Sequence, residues 1–317
     1  MKIKNILILG SGSIAKKHTK FLNRNNIKPI IINIKSIDIA KRKINDLIKN
    51  LNIKAAIICS PASTHLNYIN FFKKKKINFL VEKPLFKDSE LKLINKNFFK
   101  KSKLTELVGY QLRYNKTLIN VKKLLNSKFT GKLHHVKIVC NSFLPMWREK
   151  KIDNSISLSK KKGGGVLLEL SHEIDYMLWL FGDPNHLKAF IDKIKIFNKN
   201  VEEKANIFFY YRNFNLQLEI SFNSRFEKRS ILIEGKKASI SADLLKNTIY
   251  INKTGSSELF YKNNQQKIEM LFEQDKYFIK SIEKKQNANN LQNSLKVLNL
   301  IKLSRKSSLN NQKIKIT

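Results

Sequence analysis

The first 115 residues of this 317-residue chain alternate between short apolar runs and segments with helical spacing of apolar residues. The strand-like runs are Lys4–Leu9, Pro29–Ile34, Ala55–Ser60, Phe79–Glu82 and Leu107–Tyr110. The helix-like segments are Ile14–Leu22, Ile37–Lys49, His65–Lys76 and Ser89–Lys101. Short apolar strands separated by helices form parallel sheets that are covered on both faces. We therefore predict a doubly wound α/β domain over residues 1–118.

The rest of the chain, residues 119–317, follows a different pattern. A helix-like stretch at Leu118–Leu125 precedes a strand, a long polar loop and a second helix at Val166–Phe181. Alternating strands follow at Leu187–Ile196, Ala205–Tyr211, Phe214–Phe222, Ser230–Glu234, Ala238–Asp243 and Thr248–Lys253. Two further helices are expected at Glu269–Lys284 and Leu291–Ser304. This order predicts an α+β domain with an open, mainly antiparallel sheet that has one solvated face.

The formal net charge of +38 suggests nucleic acid or an anionic membrane as a partner. However, only eight of the 62 basic residues are arginines, and the lysines occur in every segment. Nucleic-acid surfaces tend to use arginine for bidentate contacts and to cluster their charge with stacking aromatics. We therefore expect solvated faces and no specific nucleic-acid partner, and we keep a nucleic-acid binder as the minority alternative.

Compartment and metal content follow from what the sequence contains. No apolar run reaches about 18 residues, so we expect no membrane span, and the N-terminus resembles a first strand more than a signal peptide. The two cysteines, Cys59 and Cys140, lie in strand-like runs without metal-site spacing. We expect a cytoplasmic protein without a bound metal, and we also expect a homo-oligomer.

The stretch ILILGSGSIAKKH, residues 6–18, joins the first strand to the first helix. Gly10 allows a sharp turn, and Gly12 lets the backbone approach a pyrophosphate at the helix N-terminus. The third glycine of the usual pattern is replaced here by Ala15, which is small enough for close helix–strand packing. The sequence predicts a dinucleotide site, and a tight turn without a ligand is the alternative.

The third and fourth predicted strands also end in polar residues. AAIICSPASTH, residues 55–65, ends at the carboxyl edge of the sheet, where ligands bind in such folds. Ser60, Pro61 and Thr64 are candidates for contact with ribose or nicotinamide, although Thr64 or Ser63 is equally suited to cap a helix. FLVEKPL, residues 79–85, places Lys83 at the same edge, where an amine can exchange protons with a reacting hydroxyl.

The end of the second strand bears on the choice of cofactor. NAD-preferring domains carry an acid there that binds the ribose 2′-hydroxyl. PIIINIKS, residues 29–36, offers Lys35 and Ser36, and the first acid, Asp38, lies in the next helix. A lysine and a hydroxyl can hold a 2′-phosphate. We therefore expect NAD(P) as the cofactor and favour NADP over NAD.

Residues 163–182, GGGVLLELSHEIDYMLWLFG, place a triple glycine before a helix. At about 100° per residue, one face of that helix is apolar. The opposite side carries Glu169, His172, Asp175, Tyr176 and Trp179. A solvated face and a metal site are alternatives, but this stripe contains no lysine in a lysine-rich chain. We predict that it lines a site, with His172 as general acid/base and Glu169 orienting or charging it.

Taken together, these residues resemble the Gfo/Idh/MocA family, the glucose–fructose oxidoreductase and inositol dehydrogenase group. Five segments carry the resemblance in order: the Gly10–Ala15 turn with His18, CSPASTH, EKP at 82–84, GYQLRYN at 109–115, and the GGG…E…H…D helix. The resemblance implies a Rossmann domain followed by an open antiparallel sheet. It also implies transfer of a hydride between nicotinamide C4 and a sugar or cyclitol carbon, with Lys83 and His172 as the catalytic residues.

The resemblance extends to the other candidate residues. The family acid is an aspartate four residues before the histidine, whereas Glu169 lies three residues before it, and Asp175 is the alternative carboxylate. The cofactor-binding candidates are Gly10, Gly12, Ser13, Ile14, Lys35, Ser36, Ser60, Pro61, Thr64, His65 and Glu82. The substrate-binding candidates are Arg113, Trp147, Arg148, Asp175 and Tyr176.

Two residues of the loop SFLPMWRE suggest the kind of substrate. Trp147 is suited to stack on a sugar ring, and Arg148 is suited to pair with a carboxylate or phosphate. This segment resembles family members associated with surface-glycan sugars. We expect a sugar or nucleotide-sugar substrate. The alternative is a non-catalytic NAD(P)-binding sensor or partner subunit, which would have no need of Lys83 and His172.

Overall fold

The computed structural model describes residues 2–33, 36–94, 98, 102–147, 155–192, 200–286 and 288–316. The chain divides into two compact units. The first unit contains Met1–Gln111 and Gln266–Leu298, and the second contains Leu112–Gln265 and Asn299–Thr317. The predicted division at residue 118 lies close to the first break. It assigned residues 266–298 to the second domain, however, and the structure groups them with the first.

The strands are β1 Asn5–Leu9, β2 Lys28–Ile32, β3 Ala55–Ile58, β4 Asn78–Val81, β5 Glu106–Val108, β6 Leu133–Phe143, β7 His186–Asp192, β8 Lys204–Tyr210, β9 Asn215–Ser221, β10 Asn223–Gly235, β11 Ser239–Asp243, β12 Thr248–Lys253, β13 Ser256–Lys262 and β14 Ile314–Lys315. The helices are α1 Ser13–Arg24, α2 Ile37–Leu51, α3 Ala62–Lys74, α4 Lys116–Asn126, α5 Val166–Glu169, α6 Ser171–Phe181, α7 Lys267–Glu283 and α8 Leu291–Asn310. Short 3₁₀ helices lie at Asp88–Leu93, Gln111–Tyr114, Leu144–Trp147, Ile156–Leu158 and Lys160–Lys162.

The first unit is built on a parallel five-stranded sheet in the order β2-β1-β3-β4-β5. All residues of β3, and all but the first residue of β1, are buried, as expected for strands covered on both faces. The chain moves from β1 to β2 on one side and returns to β3 on the other. Leu9 pairs with both Ile32 and Ile58, so the carboxyl ends of these strands meet at a topological switch point. Ligands bind at such points in open α/β sheets.

Helix α7 explains why residues 266–298 belong to the first unit. The Phe21 ring of α1 lies 5.4 Å from the Phe272 ring of α7, measured between centroids. Phe278 and Ile279 belong to the same buried cluster as Ile6, on β1. Because α7 buries its apolar side in this core, it completes the α/β layer, although it lies more than 150 residues further along the chain.

The second unit is built on a nine-stranded sheet in the order β13-β12-β11-β10-β6-β9-β8-β7-β14. Its pairs are antiparallel except that of β6 with β9, which is parallel. Buried residues alternate with partly exposed ones along β8, which confirms the expected one-sided core. The predicted strand Leu187–Ile196 corresponds to β7, and its residues 193–196 lie outside the described ranges. Strands β13 and β14 were not predicted, because nearly every residue of β13 is exposed and β14 has two residues.

Two predicted helices differ from the structure. The segment Ser89–Lys101 does not form the expected α-helix where it is described: a 3₁₀ helix ends at Leu93, and Ile94 has an extended backbone (φ −86°, ψ 129°). The segment Val166–Phe181 forms two helices, α5 and α6, because Leu170 leaves the helical conformation (φ −99°, ψ 24°). Strand β10 begins seven residues before the predicted Ser230–Glu234, and α8 ends six residues beyond the predicted Ser304. The other predicted helices and strands lie within a few residues of their observed positions.

Candidate functional site

The glycine turn follows β1 at the switch point. Gly10 has φ +110°, and its N–H donates to the Ile32 carbonyl over 3.0 Å. A β-carbon at Gly10 would lie 2.9 Å from the carbonyl oxygen of Cys59. Position 10 therefore requires glycine for two reasons that do not involve a ligand, its conformation and its closeness to β3.

Gly12 differs from Gly10, since its backbone is extended (φ −69°, ψ −178°) and a β-carbon there would meet nothing within 4 Å. It is the N-cap of α1, and no side chain of the described residues caps this helix. Gly12 and Ser13 are exposed, so the amides of the first turn face open space. An uncapped helix N-terminus at the carboxyl edge of a parallel sheet fits the pyrophosphate of a dinucleotide. Ile14, predicted to contact the cofactor, is half-buried in the first turn of α1.

At the end of β3, Ser60, Pro61 and Thr64 lie together. The Thr64 hydroxyl is 2.7 Å from Ser60 Oγ and 2.8 Å from the Pro61 carbonyl. The N-cap of α3 is Pro61, so neither Ser63 nor Thr64 caps the helix. The alternative of ordinary helix capping is therefore wrong, and Thr64 instead tethers the strand end to the first turn of α3.

His65 is buried and joins two strand ends. Its Nε2 lies 2.7 Å from the Ser60 carbonyl and its Nδ1 lies 2.9 Å from the Pro84 carbonyl. Burial lowers the pKa of His65. Both ring nitrogens face backbone oxygens, so the described contacts give His65 a structural role at the end of β3.

The segment after β4 contains Glu82, Lys83 and Pro84, with a cis peptide bond between Lys83 and Pro84. Glu82 is buried, and its Oε1 lies 3.1 Å from His18 Nε2. A β-carbon at Gly109, just after β5, would lie 2.8 Å from Glu82 Oε1. Lys83 is half-buried at the same edge as the glycine turn. The structure thus brings the glycine turn, the end of β3, Glu82 and Lys83 to one edge of the first sheet.

Of the two residues predicted to choose between NAD and NADP, one can be placed. Ser36 is the N-cap residue of α2, and its side chain makes no capping hydrogen bond there. Lys35 lies outside the described residues.

In the second unit, the triple glycine is required by packing. Gly163 and Gly165 have positive φ angles, +90° and +109°. A β-carbon at Gly164 would overlap the carbonyl oxygens of Ile156 and Ser157, and one at Gly165 would overlap the Glu202 carboxylate. These glycines let the chain pass close to Ile156, Ser157 and Glu202 before α5 begins.

Glu169 and His172 flank the break between α5 and α6. Glu169 is half-buried, and its Oε1 accepts a hydrogen bond of 3.0 Å from the Ser157 hydroxyl. His172 is 9% exposed, in the first turn of α6. The interruption at Leu170 means that these two residues do not share one continuous helical face.

The remaining polar residues of α6 do not form the open stripe that the sequence predicted. Arg113 holds Asp175 in a bidentate ion pair, with Nε to Oδ2 at 2.8 Å and Nη2 to Oδ1 at 2.7 Å. Burial raises the pKa of Asp175, and Arg113 opposes this effect. Tyr176 is fully buried, and Lys122 covers Trp179 with its Nζ 4.3 Å from the ring centroid. Asp175 and Tyr176, both predicted to contact substrate, expose almost no surface.

Polar residues of α6 outside the predicted stripe are also buried. A polar side chain on this helix therefore does not by itself indicate a ligand-binding face. Glu173 is fully buried and forms an ion pair with Arg229 of β10. Cys140 of β6 pairs in register with Arg229. Burial raises the pKa of Tyr176, and the nearby Glu173 charge adds to that effect. No local sequence pattern indicates this ion pair, because Arg229 lies 56 residues beyond Glu173.

The predicted sugar-stacking residue, Trp147, is 38% exposed at the end of a 3₁₀ helix. Its ring lies edge-on to Phe222, with 6.2 Å between centroids. One part of the indole therefore remains open to a ligand. Arg148 lies outside the described residues.

The described ranges also bear on membrane and metal binding. None of the helices found there combines the length and apolar composition that crossing a membrane requires. In the same residues, no three His, Cys, Asp or Glu side chains are grouped as metal ligands.

Comparison with known proteins agrees with this arrangement. Residues 4–110 match the model of the oxidoreductase family with the NAD-binding Rossmann fold, and residues 118–241 match that of the GFO/IDH/MocA C-terminal domain. The chain is 24% identical over 229 residues to Oxidoreductase P35 of Formosa agariphila, a match spanning 70% of each chain.

Solved structures resemble the whole chain in fold. Levoglucosan dehydrogenase in complex with NADH has a TM-score of 0.85 and 14% identity over 100% of both chains. An inositol dehydrogenase homologue from Azotobacter vinelandii, complexed with NAD+, has a TM-score of 0.80 and 11% identity over 99% of this chain and 98% of its own. Together with the two family matches, the sheet order and the glycine turn lead to one assignment: the chain belongs to the Gfo/Idh/MocA family of oxidoreductases, whose N-terminal domain has the NAD-binding Rossmann fold.

Proposed function

We propose that the protein is an NAD(P)-dependent dehydrogenase or reductase. Its substrate would be a secondary alcohol or ketone of a sugar, cyclitol or nucleotide sugar. The observation that carries this proposal is the open Gly12 turn at the edge that also holds Lys83. A turn required only for packing would have neighbours around each glycine, as Gly10 does. The names of the structural neighbours, a levoglucosan dehydrogenase and an inositol dehydrogenase homologue, favour a polyhydroxylated substrate.

The first unit would hold the cofactor through residues of the carboxyl edge. The amides at Gly12, Ser13 and Ile14 would bind the pyrophosphate, and Ser60 and Pro61 would contact the ribose or nicotinamide. Thr64 and His65 would hold these groups in place through their contacts with the strand ends. The nicotinamide, when bound, supplies the acceptor or donor of the hydride.

Lys83 and His172 would handle the proton of the reacting hydroxyl. In the oxidation direction the carbon loses a hydride and the hydroxyl loses a proton, so a base must receive that proton. A histidine such as His172 suits the role of general acid/base, because the ordinary pKa of imidazole lies near neutrality. Lys83, as an ammonium, would donate a hydrogen bond to the substrate oxygen and stabilise developing negative charge.

Glu169 is the carboxylate that we assign to act beside His172. Asp175 is the weaker candidate, because both of its oxygens are engaged by Arg113. We propose that Asp175 orients Arg113, whose side chain is partly exposed and can then bind a substrate oxygen or acid group. Trp147 would stack on the sugar ring, and Arg148 would pair with an anionic substituent. Tyr176 would support α6 from inside.

The proposal also covers the preferred cofactor, the compartment and the oligomeric state. Lys35 and Ser36 would favour NADP by binding the 2′-phosphate. Both cysteines are free thiols, which is compatible with the reducing conditions of the cytoplasm. We also propose a homo-oligomer, which analytical ultracentrifugation would test.

A substrate screen tests the function. Wild-type protein is mixed with NAD(H) or NADP(H) and a panel of sugars, cyclitols and nucleotide sugars, and the absorbance of the reduced nicotinamide is followed. Turnover with one compound class, lost in the His172→Ala variant and kept in the His134→Ala variant, supports the proposal. His134 is an exposed histidine on β6 and serves as the matched control. Tight cofactor binding without turnover of any compound would favour the sensor alternative.

A further inference from the structure

A buried imidazole joins four segments of the first unit. His18 lies in the second turn of α1 and is fully buried. Its Nδ1 is 2.9 Å and 2.8 Å from the two carboxylate oxygens of Asp275, on α7. Its Nε2 is 3.1 Å from Oε1 of Glu82, at the end of β4. The third neighbour is Cys59, at the end of β3, whose thiol also interacts with the ring.

The geometry determines the charge of this ring. Each ring nitrogen faces a carboxylate oxygen, and a carboxylate only accepts hydrogen bonds. With Asp275 and Glu82 ionised, both ring nitrogens donate, which requires an imidazolium. Burial has the largest influence and alone would lower the pKa of His18, but the charges of Asp275 and Cys59 and their hydrogen bonds with the ring together raise the pKa well above its ordinary value. The titratable side chains that face the ring are Asp275, Glu82 and Cys59.

Glu82 connects this cluster to Lys83, the lysine that we propose takes part in the reaction. It precedes Lys83 in the chain, and its N–H donates to the Ile58 carbonyl over 2.9 Å. Its carboxylate lies between the His18 ring and the backbone of Gly109, where a β-carbon would be only 2.8 Å away. The carboxylate is thus confined by backbone on one side and attracted by a buried cation on the other.

We propose that His18 is a positioning residue: its positive charge, fixed by Asp275, holds the Glu82 carboxylate and so sets the place of Lys83 at the end of β4. This inference rests on the proposed role of Lys83 in the reaction. Asp275 contacts the His18 ring directly, although it lies 257 residues further along the chain. A charge on α7 therefore controls a reacting amine that it does not touch.

The Asp275→Asn variant separates charge from packing, because asparagine keeps the size of the side chain. Without the Asp275 charge, burial dominates and the pKa of His18 falls, so the ring is neutral at high pH and charged again at low pH. A neutral imidazole donates from one nitrogen only and holds Glu82 without charge. We expect kcat at pH 8.5 to fall by about 10- to 100-fold, the effect of displacing a reacting group by about 1 Å. Acidification to pH 6 should restore it towards the wild-type value.

The experiment compares wild type, Asp275→Asn and a control, Asp46→Asn, from pH 6 to 9. Asp46 is an exposed aspartate on α2, so its variant loses the same charge far from His18. Three quantities are measured: kcat with the substrate identified by screening, the His18 titration by histidine-selective NMR, and the rate of Lys83 labelling by an amine reagent. For Asp275→Asn, we expect the ratio of variant to wild-type kcat, and the ratio of the two Lys83 labelling rates, to depart from one as His18 of the variant loses its proton. NADH affinity should stay within about threefold of wild type.

The outcomes separate this proposal from the proposed function. If no compound is turned over by the wild type, the dehydrogenase proposal fails, and the Lys83 labelling ratio still decides the role of His18. A ratio that stays at one while His18 titrates overturns the positioning role. An ordinary pKa for His18 in the wild type overturns it as well.

Should Asp275→Asn fail to fold, Glu82→Gln provides the second test, because it keeps shape and removes the held charge. We expect it to lower kcat by about tenfold at every pH, a loss consistent with a displaced amine, without a new titration. Wild-type kcat and Lys83 labelling in that variant would also contradict the proposal.

Discussion

The glycine turn at 10–12 and the triple glycine at 163–165 look alike in sequence, since each is a short glycine-rich segment that precedes a helix. The structure assigns them opposite tasks. At Gly12 a β-carbon would meet nothing within 4 Å, whereas at Gly164 it would overlap two backbone carbonyl oxygens. One glycine leaves room for something outside the chain, and the other leaves room for the chain itself.

The reason for a glycine before a helix depends on its backbone conformation and on the atoms around it. Gly10 and Gly165 both adopt positive φ angles, and both would clash with the protein if they carried a β-carbon. Their presence is explained without a ligand. Gly12 needs neither a positive φ nor close packing, so its conformation leaves ligand binding as the reason for a glycine. Substitution at the two types of position should therefore separate stability from binding.

The largest effect on stability is expected for Gly164→Ala. The added methyl group must displace the Ile156 and Ser157 carbonyls, an overpacking cost that we place at about 3 kcal/mol. In a unit of this size that cost lowers Tm by about 6–12 °C. Differential scanning calorimetry would measure it, with Gly12→Ala as the matched control, for which we expect a change within about 0.5 kcal/mol. Equal losses in the two variants would remove the distinction between the two glycine segments.

Binding should respond in the opposite way. Gly12→Val places a branched side chain where the pyrophosphate is proposed to lie, so cofactor binding should be abolished while the fold is retained. Fluorescence titration with NADH and NADPH measures the affinity, and circular dichroism checks the fold. Lys20→Val, which changes an exposed residue further along α1, is the control. NADH affinity within about threefold of wild type, or about 0.65 kcal/mol, would show that the turn does not hold the phosphates.

Elements that depend on neighbouring residues were easier to predict from the sequence than elements that depend on distant ones. The elements from β1 to β4 were predicted well because each is local: β1, Gly10 and α1 follow one another, and period-2 and period-3.6 patterns identify them. The place of α7 could not be predicted, since the packing of Phe272 on Phe21 joins residues about 250 positions apart. The His18–Asp275 pair depends on the same long-range contact.

The candidate site in the second unit was predicted less well, for a physical reason. A polar residue on a helix shows the same pattern whether it faces water, a ligand or a buried partner. Asp175 was expected to face a site, and Arg113 satisfies it instead. Glu173 received no role, although it forms a buried ion pair with Arg229. The partners of such residues lie on other elements, so hydrophobic periodicity cannot locate them.

The turnover number tests the two residues proposed to handle the proton, His172 and Lys83. His172→Ala and Lys83→Ala should each lower kcat by at least about 100-fold, the usual effect of removing an acid/base group. Cofactor affinity should change much less, because neither residue lies in the glycine turn. Lys75→Ala, at an exposed lysine just after α3, is the control for Lys83. A near-wild-type rate for His172→Ala would transfer the proton-handling role to Lys83.

The smallest expected effect concerns the choice between NAD and NADP. Strand β2 ends at Ile32 without the acid that would bind a ribose 2′-hydroxyl, and Ser36 has no capping bond at the start of α2. If Lys35 binds the 2′-phosphate, wild type should prefer NADP, and Lys35→Asp should shift the ratio of kcat/KM towards NAD by about tenfold, or 1.4 kcal/mol. Lys43→Asp makes the same charge change at an exposed position of α2 and separates specific contact from general attraction. Both variants are compared at fixed ionic strength, since salt screens attraction between exposed charges. A wild type that prefers NAD, with a ratio that neither substitution moves, would exclude Lys35 as the residue that distinguishes the two cofactors.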